Sequence, residues 1–153
     1  MAKRLLFILF FCAVIVFCAQ SQAVVYINAG SRALTGTTQD LVIFNNGQCR
    51  YVLSEVDGTV KDSSSFSITK QQLDSFFVKA SQVGFFNLNN KYESNLADGA
   101  GIYISIDKNG QVKAVQLHNT DVSAVNELIT WLNRILVPHK ILINYGQFVK
   151  INR

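Results

Sequence analysis

The sequence predicts an α+β fold: one mainly antiparallel sheet of about 4–6 strands with two helices packed on one face. Three observations lead there. Apolar, β-branched runs alternate with the tight-turn pairs Asn46-Gly47, Asp57-Gly58 and Asn109-Gly110. Two separate stretches carry apolar residues at helical spacing. The order of these signals is two or three strands, a helix, two strands and a second helix. Hairpins alternating with helices leave one sheet face for the helices and the other for solvent or a partner.

The elements follow in order. Val24 to Asn28 is β-branched and aromatic and reads as a short strand, and the Gly-, Ser- and Thr-rich stretch from Ala29 to Gln39 reads as a loop. Leu41-Val42-Ile43-Phe44 is a better strand, and Asn46-Gly47 turns it. Cys49 to Val56 follows, with Tyr51, Leu53 and Glu55 on one face and Val52, Ser54 and Val56 on the other. After Asp57-Gly58 the chain returns through Thr59-Val60-Lys61.

Thr69 and Gln72 form the pattern of a capping box, in which each side chain satisfies the other's free backbone N–H. Leu73, Phe76, Phe77, Ala80 and Val83 then lie at 0, +3, +4, +7 and +10, one stripe along a helix. Gly84 stands at the helix end, and Phe85-Phe86-Asn87-Leu88 anchors the chain back into the core. Asn89 to Gly101 is polar and reads as the longest loop of the second half. Ile102 to Asp107 alternates as a strand, Lys108-Asn109-Gly110 turns, and Val112 to Leu117 returns. Asp121 or Thr120 is placed to cap a second helix, with Val125, Leu128, Ile129, Leu132, Ile135 and Leu136 inward. Pro138 stops it. Lys140 to Val149 reads as a last short strand or an ordered tail.

Ahead of this domain, residues 1–23 have the order of a secretory signal peptide. Lys3 and Arg4 precede the apolar run Leu5 to Ala19, and small residues at Ser21 and Ala23 suit a peptidase. The run is shorter than the roughly 20 residues a spanning helix needs. Phe precedes both Cys12 and Cys18, which excludes a lipoprotein signal. The expectation is an extracellular or periplasmic protein with one domain over 24–153, a core at 39–137, a C-terminal extension at 138–153, and no membrane span after cleavage.

Composition narrows the function classes. Of the 14 basic residues two lie in the leader, and against 10 acidic residues the remainder carries +2. No basic run or helix face remains, which excludes nucleic acid as a partner. Cys49 is the one cysteine outside the leader, so it is an unpaired thiol, read as a buried small apolar residue. No G-x-S-x-G elbow, P-loop or H-E-x-x-H is present. Asp107-Lys108-Asn109-Gly110 opens like a calcium loop but has no closing Glu and reads as a hairpin turn. His118, three residues before Asp121, reads as a solvated strand-end residue, since no Cys/His cluster supports a metal site. No catalytic residue, cofactor or metal is expected.

The segments "GQCRYVLSEVDGTV", "ITKQQLDSFFVKASQVGFFNLNNKYESNLADGAGIYISI" and "NGQVKAVQLHNT", with the closing amphipathic helix, resemble a family of small secreted bacterial α+β domains of unknown function. The carrying features are a Cys-bearing strand, a D-G-T-V turn and G-F-F-x-L at Gly84 to Leu88 after the first helix. The layout is also similar to emfourin-type inhibitors of thermolysin-like metalloproteases. The secreted family usually has a second nearby cysteine followed by Pro; here Cys49 stands alone and Arg50 follows it. The resemblance implies a non-enzymatic binding domain whose partner is another protein, either a protease or an envelope component. The candidate contact surface is the loop bearing Lys91, Tyr92, Glu93 and Asp98, or the open sheet face. The alternative is a structural or envelope-associated secreted protein without a specific soluble ligand. An enzyme reading would need Cys49, His118 and the loop carboxylates in one cleft.

Overall fold

The structure is a computed structural model that describes residues 21–31, 36–94 and 99–143. Among the described residues there are a seven-stranded sheet and two α-helices. The strands are β1 (Ala23–Ser31), β2 (Thr37–Phe44), β3 (Gln48–Glu55), β4 (Val60–Ser67), β5 (Lys91–Glu93), β6 (Ala100–Lys108) and β7 (Gln111–His118). The helices are α1 (Lys70–Gln82), between β4 and β5, and α2 (Ser123–Leu136), after β7. Across the sheet the order is β4-β3-β2-β1-β6-β7-β5. Every neighbouring pair is antiparallel except β5 with β7, which is parallel.

The α+β class holds, and the sheet is wider than the expected 4–6 strands. β5 is the strand not foreseen, and β1 is longer than expected. Lys91–Glu93 is a short edge strand inside the segment expected to be one loop. The short first strand expected at Val24 to Asn28 extends to Ser31 as β1, between β2 and β6, and Thr37 to Gln39 of the expected loop belong to β2. The third strand of the meander also runs on to Ser67, through the polar Ser63-Ser64-Ser65 at the sheet edge.

Alternation of side chains decides the layering. From β1 the core takes Val25, Ile27 and Ala29; from β2, Leu41 and Ile43; from β6, Ile102, Ile104 and Ile106; from β7, Val115 and Leu117. Both helices bury their stripes in the same cluster, α1 through Leu73, Phe76 and Ala80, and α2 through Val125, Leu128, Ile129, Leu132, Ile135 and Leu136. The helices therefore share one sheet face, as the pattern predicts. Fully burying one such side chain is worth about 1.5–3 kcal/mol.

The local signals hold at the first helix. Thr69 Oγ1 accepts from Gln72 N at 3.1 Å, and Gln72 Oε1 accepts from Thr69 N at 2.8 Å. Gly84 follows the helix at φ +73°, a conformation that suits glycine. The second helix differs from expectation. Its N-cap is Val122, with no side-chain cap bond, so neither Thr120 nor Asp121 caps it. Burial of its apolar stripe holds it instead. After Leu136 a 3₁₀ turn, Val137–His139, replaces the α-helix at Pro138. Of the segment expected as a last short strand or an ordered tail, Lys140 to Ile143 forms no strand, and residues 144–153 lie outside the described residues. So do residues 1–20 of the expected leader; β1 begins at Ala23, where cleavage is expected.

Candidate functional site

The second face of the sheet carries the other alternate residues, and neither helix packs there. Register places them in rows. One row crosses from Val52 on β3 to Asp40, Asn28, Tyr103, Gln116 and Lys91. The next runs from Ser54 through Thr38, Gly30, Gly101 and His118 to Glu93. This face is thus polar and aromatic at its centre, where the opposite face is aliphatic.

Its centre is tied by hydrogen bonds. Tyr26 Oη donates to Asp40 Oδ1 at 2.6 Å, and Asn28 Nδ2 donates to the same oxygen at 3.0 Å. Bonds to a carboxylate are about twice as strong as neutral ones. Burial, then the bond to Asp40 and its charge, push the Tyr26 phenol up to about 12. The Tyr26 and Tyr103 rings lie 6.0 Å apart, tilted by 57°. Tyr26 is thus held by its bond to Asp40, and Tyr103 lies against its ring.

Beside this row the surface dips. Gly30 pairs directly with Gly101, so two adjacent strands present no side chain. The result is a trough of about 140 Å³, walled by Asn28, Thr38, Tyr103, Gln116 and His118. A Cβ on Gly30 would come within 3.0 Å of Thr38 Cγ2, and one on Gly101 within 3.1 Å of the Leu117 carbonyl oxygen. A side chain at either position would have to push its neighbour aside by a few tenths of an ångström, so glycine is favoured here by close approach and not by a positive φ.

His118 closes one end of the trough. It is 6 % exposed, so the expected solvated histidine is in fact buried. Its pairing with Gly101 on one side and Glu93 on the other encloses the ring. Neither Nδ1 nor Nε2 has a hydrogen-bond partner. The nearest carboxylate oxygen, Glu93 Oε1, lies 3.8 Å from Nδ1, beyond hydrogen-bond range. An unsatisfied buried polar group costs about 1–3 kcal/mol.

The residues singled out in the sequence fall into three places. Lys91 and Glu93 lie on the edge strand β5, on the helix-free face, with Lys91 Nζ 2.5 Å from Glu93 Oε2. Tyr92 points the other way and packs against the core, its hydroxyl accepting from Asn89 N at 2.9 Å. Asp98 lies outside the described residues. Cys49 faces the core from β3 and is 2 % exposed, its Sγ 3.5 Å from the Gly47 carbonyl oxygen. Burial raises its thiol to about 11. Cys49 and His118 are on opposite faces of the sheet with β2, β1 and β6 between their strands, so no single cleft holds both. Among the described residues no three His, Cys, Asp or Glu side chains gather as a metal site requires.

Sequence reasoning passed over Tyr26, Asn28, Asp40 and Tyr103. The β1–β2 pairing that joins three of them spans a longer connection, and no local motif announces it. For His118 a signal did exist. Counting outward from the two-residue turn Asn109-Gly110 pairs His118 with Gly101 and gives it a glycine for a neighbour.

The model of one family, a domain of unknown function (DUF6438), matches residues 37–136. The chain belongs to that family. The match spans β2 through α2, and therefore six of the seven strands and both helices. β1 precedes the DUF6438 segment, although it lies between β2 and β6 in the sheet and carries Tyr26, Asn28 and Gly30. No curated protein matches the chain. Among the described residues no helix is long and apolar enough to cross a membrane.

Proposed function

We propose that this DUF6438 protein is a secreted, non-enzymatic binding domain that engages another protein through the helix-free face of its sheet. One observation carries the reading. A polar row, Asp40–Asn28–Tyr103–Gln116, borders a glycine-floored trough on a face that neither described helix covers. Tyrosines held by packing and hydrogen bonds lose little entropy on binding, and such residues are enriched at protein interfaces. The trough is smaller than the roughly 300–1,000 Å³ of ordinary small-molecule sites, and suits one inserted side chain. A side chain seated there would pack against His118, which forms one end of the trough. The leader-like first 23 residues support a binding event outside the cytoplasm.

The test is capture from the secreted fraction of the source, using the wild type and Tyr103→Ala. A protein retained by the wild type and lost at least tenfold by the variant, with the fold unchanged by circular dichroism, supports the reading. Equal retention by both sinks it. The finer form, suggested by the emfourin-like layout, is inhibition of a thermolysin-like metalloprotease. Undiminished proteolysis at large excess of the domain removes that form and leaves the binding face to be judged by the Tyr103 comparison.

A further inference from the structure

The sheet ends in two edges of different character. On one side β5 is three residues long, runs parallel to β7 and carries the ion pair Lys91–Glu93. Shortness and charge close an edge to further strands. On the other side β4 is eight residues long, and among the described residues no strand pairs with its outer edge. From Ser63 to Ser67 it holds neither a charge nor a proline.

The hydrogen-bond pattern shows which groups that edge offers. Ile68 donates its backbone N–H to the Gly47 carbonyl oxygen at 2.9 Å, in the same register that pairs Ser67 with Gln48. In an antiparallel pair, bonded and unbonded positions alternate. Counting back from Ile68, Phe66 and Ser64 turn their backbone groups toward β3, and Ser67, Ser65 and Ser63 turn theirs outward. The run stops at a bulge, where the register shifts between Leu53 and Ser54 and the Lys61–Glu55 ion pair holds the corner. The open edge is therefore residues 63–67.

This edge is complementary to itself. A second copy of β4 related by a two-fold axis is antiparallel to the first. With the axis at Ser65, Ser65 faces Ser65 and Ser63 faces Ser67, so every outward residue has a bonding counterpart. Their small hydroxyl side chains lie on the helix-free face, opposite to Phe66, and do not crowd an added strand. Asp62 faces Ile68, and Lys61 lies beyond the pairing, so no like charges meet.

We infer that residues 63–67 form a self-association edge, on which a second copy of this chain pairs antiparallel about a two-fold axis at Ser65. The two sheets then run on as one, with both helix-free faces on the same side. The inference does not rest on the partner-binding reading: Tyr103 is on β6, with β3, β2 and β1 between it and this edge.

Sedimentation equilibrium of the purified protein tests it. The mass should rise with concentration from that of one chain to that of two, and no further. Ser65→Pro removes an outward N–H from each copy and no bond to β3, as an edge strand tolerates. It should weaken dimerisation at least tenfold. Ser63→Lys, which adds a charge to the edge, should do the same and keeps the test decisive if Ser65→Pro misfolds. In Ser65→Cys the facing Cα atoms should stand about 5.5 Å apart, a separation that a disulfide spans. Mild oxidation should therefore link two copies at least tenfold faster than in Val112→Cys, which is 64 % exposed on β7. The buried Cys49 does not compete. The inference is overturned if the protein stays a single chain even at millimolar concentration. It is also overturned if both edge variants dimerise like the wild type, or if positions 65 and 112 cross-link at equal rates.

Discussion

The two faces of strand β1 differ in kind: one is aliphatic and the other polar and aromatic. On β1, Val25, Ile27 and Ala29 vanish into an aliphatic core, while Tyr26 and Asn28 bond a carboxylate on the opposite side. A register slip of a single residue would exchange these sets. The aliphatic set therefore fixes the register, and the register in turn assembles the polar row and the paired glycines. Stability is concentrated on one face, and the features suited to recognition on the other.

The largest expected effect separates the faces directly. Ile104→Ala should destabilise the protein by about 2–5 kcal/mol, as a cavity opens in the core. Ser105→Ala, one residue along on the other face, should stay within about 0.5 kcal/mol. Urea unfolding of the two variants checks this; similar losses would mean that the second face is also packed.

A middling effect is expected at Cys49, which belongs to the core face. Cys49→Ser places a hydroxyl in an apolar site and should cost about 1–3 kcal/mol. The native thiol should react with a disulfide reagent at pH 8 only as fast as the protein opens, because the folded thiol titrates near 11. Fast reaction without unfolding would place Cys49 in reach of solvent.

Tyr26→Phe tests the network of the open face. It should cost about 1.5–3 kcal/mol, the range for a hydrogen bond to a charged group. The pH dependence has a definite sign. A phenol whose folded pKa is raised keeps its proton better in the folded state. Its contribution is complete below about pH 10 and is lost as the pH rises through the folded value near 12. Tyr51 titrates in the same window, so Tyr26→Phe should reduce the alkaline loss of stability without abolishing it.

The smallest effect has the opposite direction. His118→Leu removes an imidazole with two unsatisfied nitrogens and should leave stability unchanged or raise it by about 1 kcal/mol. A loss of more than 2 kcal/mol would mean that the ring is satisfied in solution.

Legibility from the sequence followed the same division. The core face was readable because burial writes itself into period: the helix stripes, the Ile102-Ile104-Ile106 alternation and the Thr69–Gln72 box all appear in the structure as expected. Polar edges were not. Ser63-Ser64-Ser65 has weak β-propensity and pairs because β3 lies beside it. Lys91–Glu93 pairs in parallel with β7, which no local signal reveals. The helix-free face was foreseen as a surface, but its central residues come from β1, β2 and β6, and only tertiary register joins them.

The most direct test of the binding face is site-specific photo-cross-linking in the native compartment. A benzoylphenylalanine at Tyr103 is compared with one at Val78, which is 54 % exposed on α1. The expected result is a discrete heavier adduct with one protein from position 103 and none from position 78. Adducts from position 78 alone, or the same adducts from both, would contradict recognition through the helix-free face.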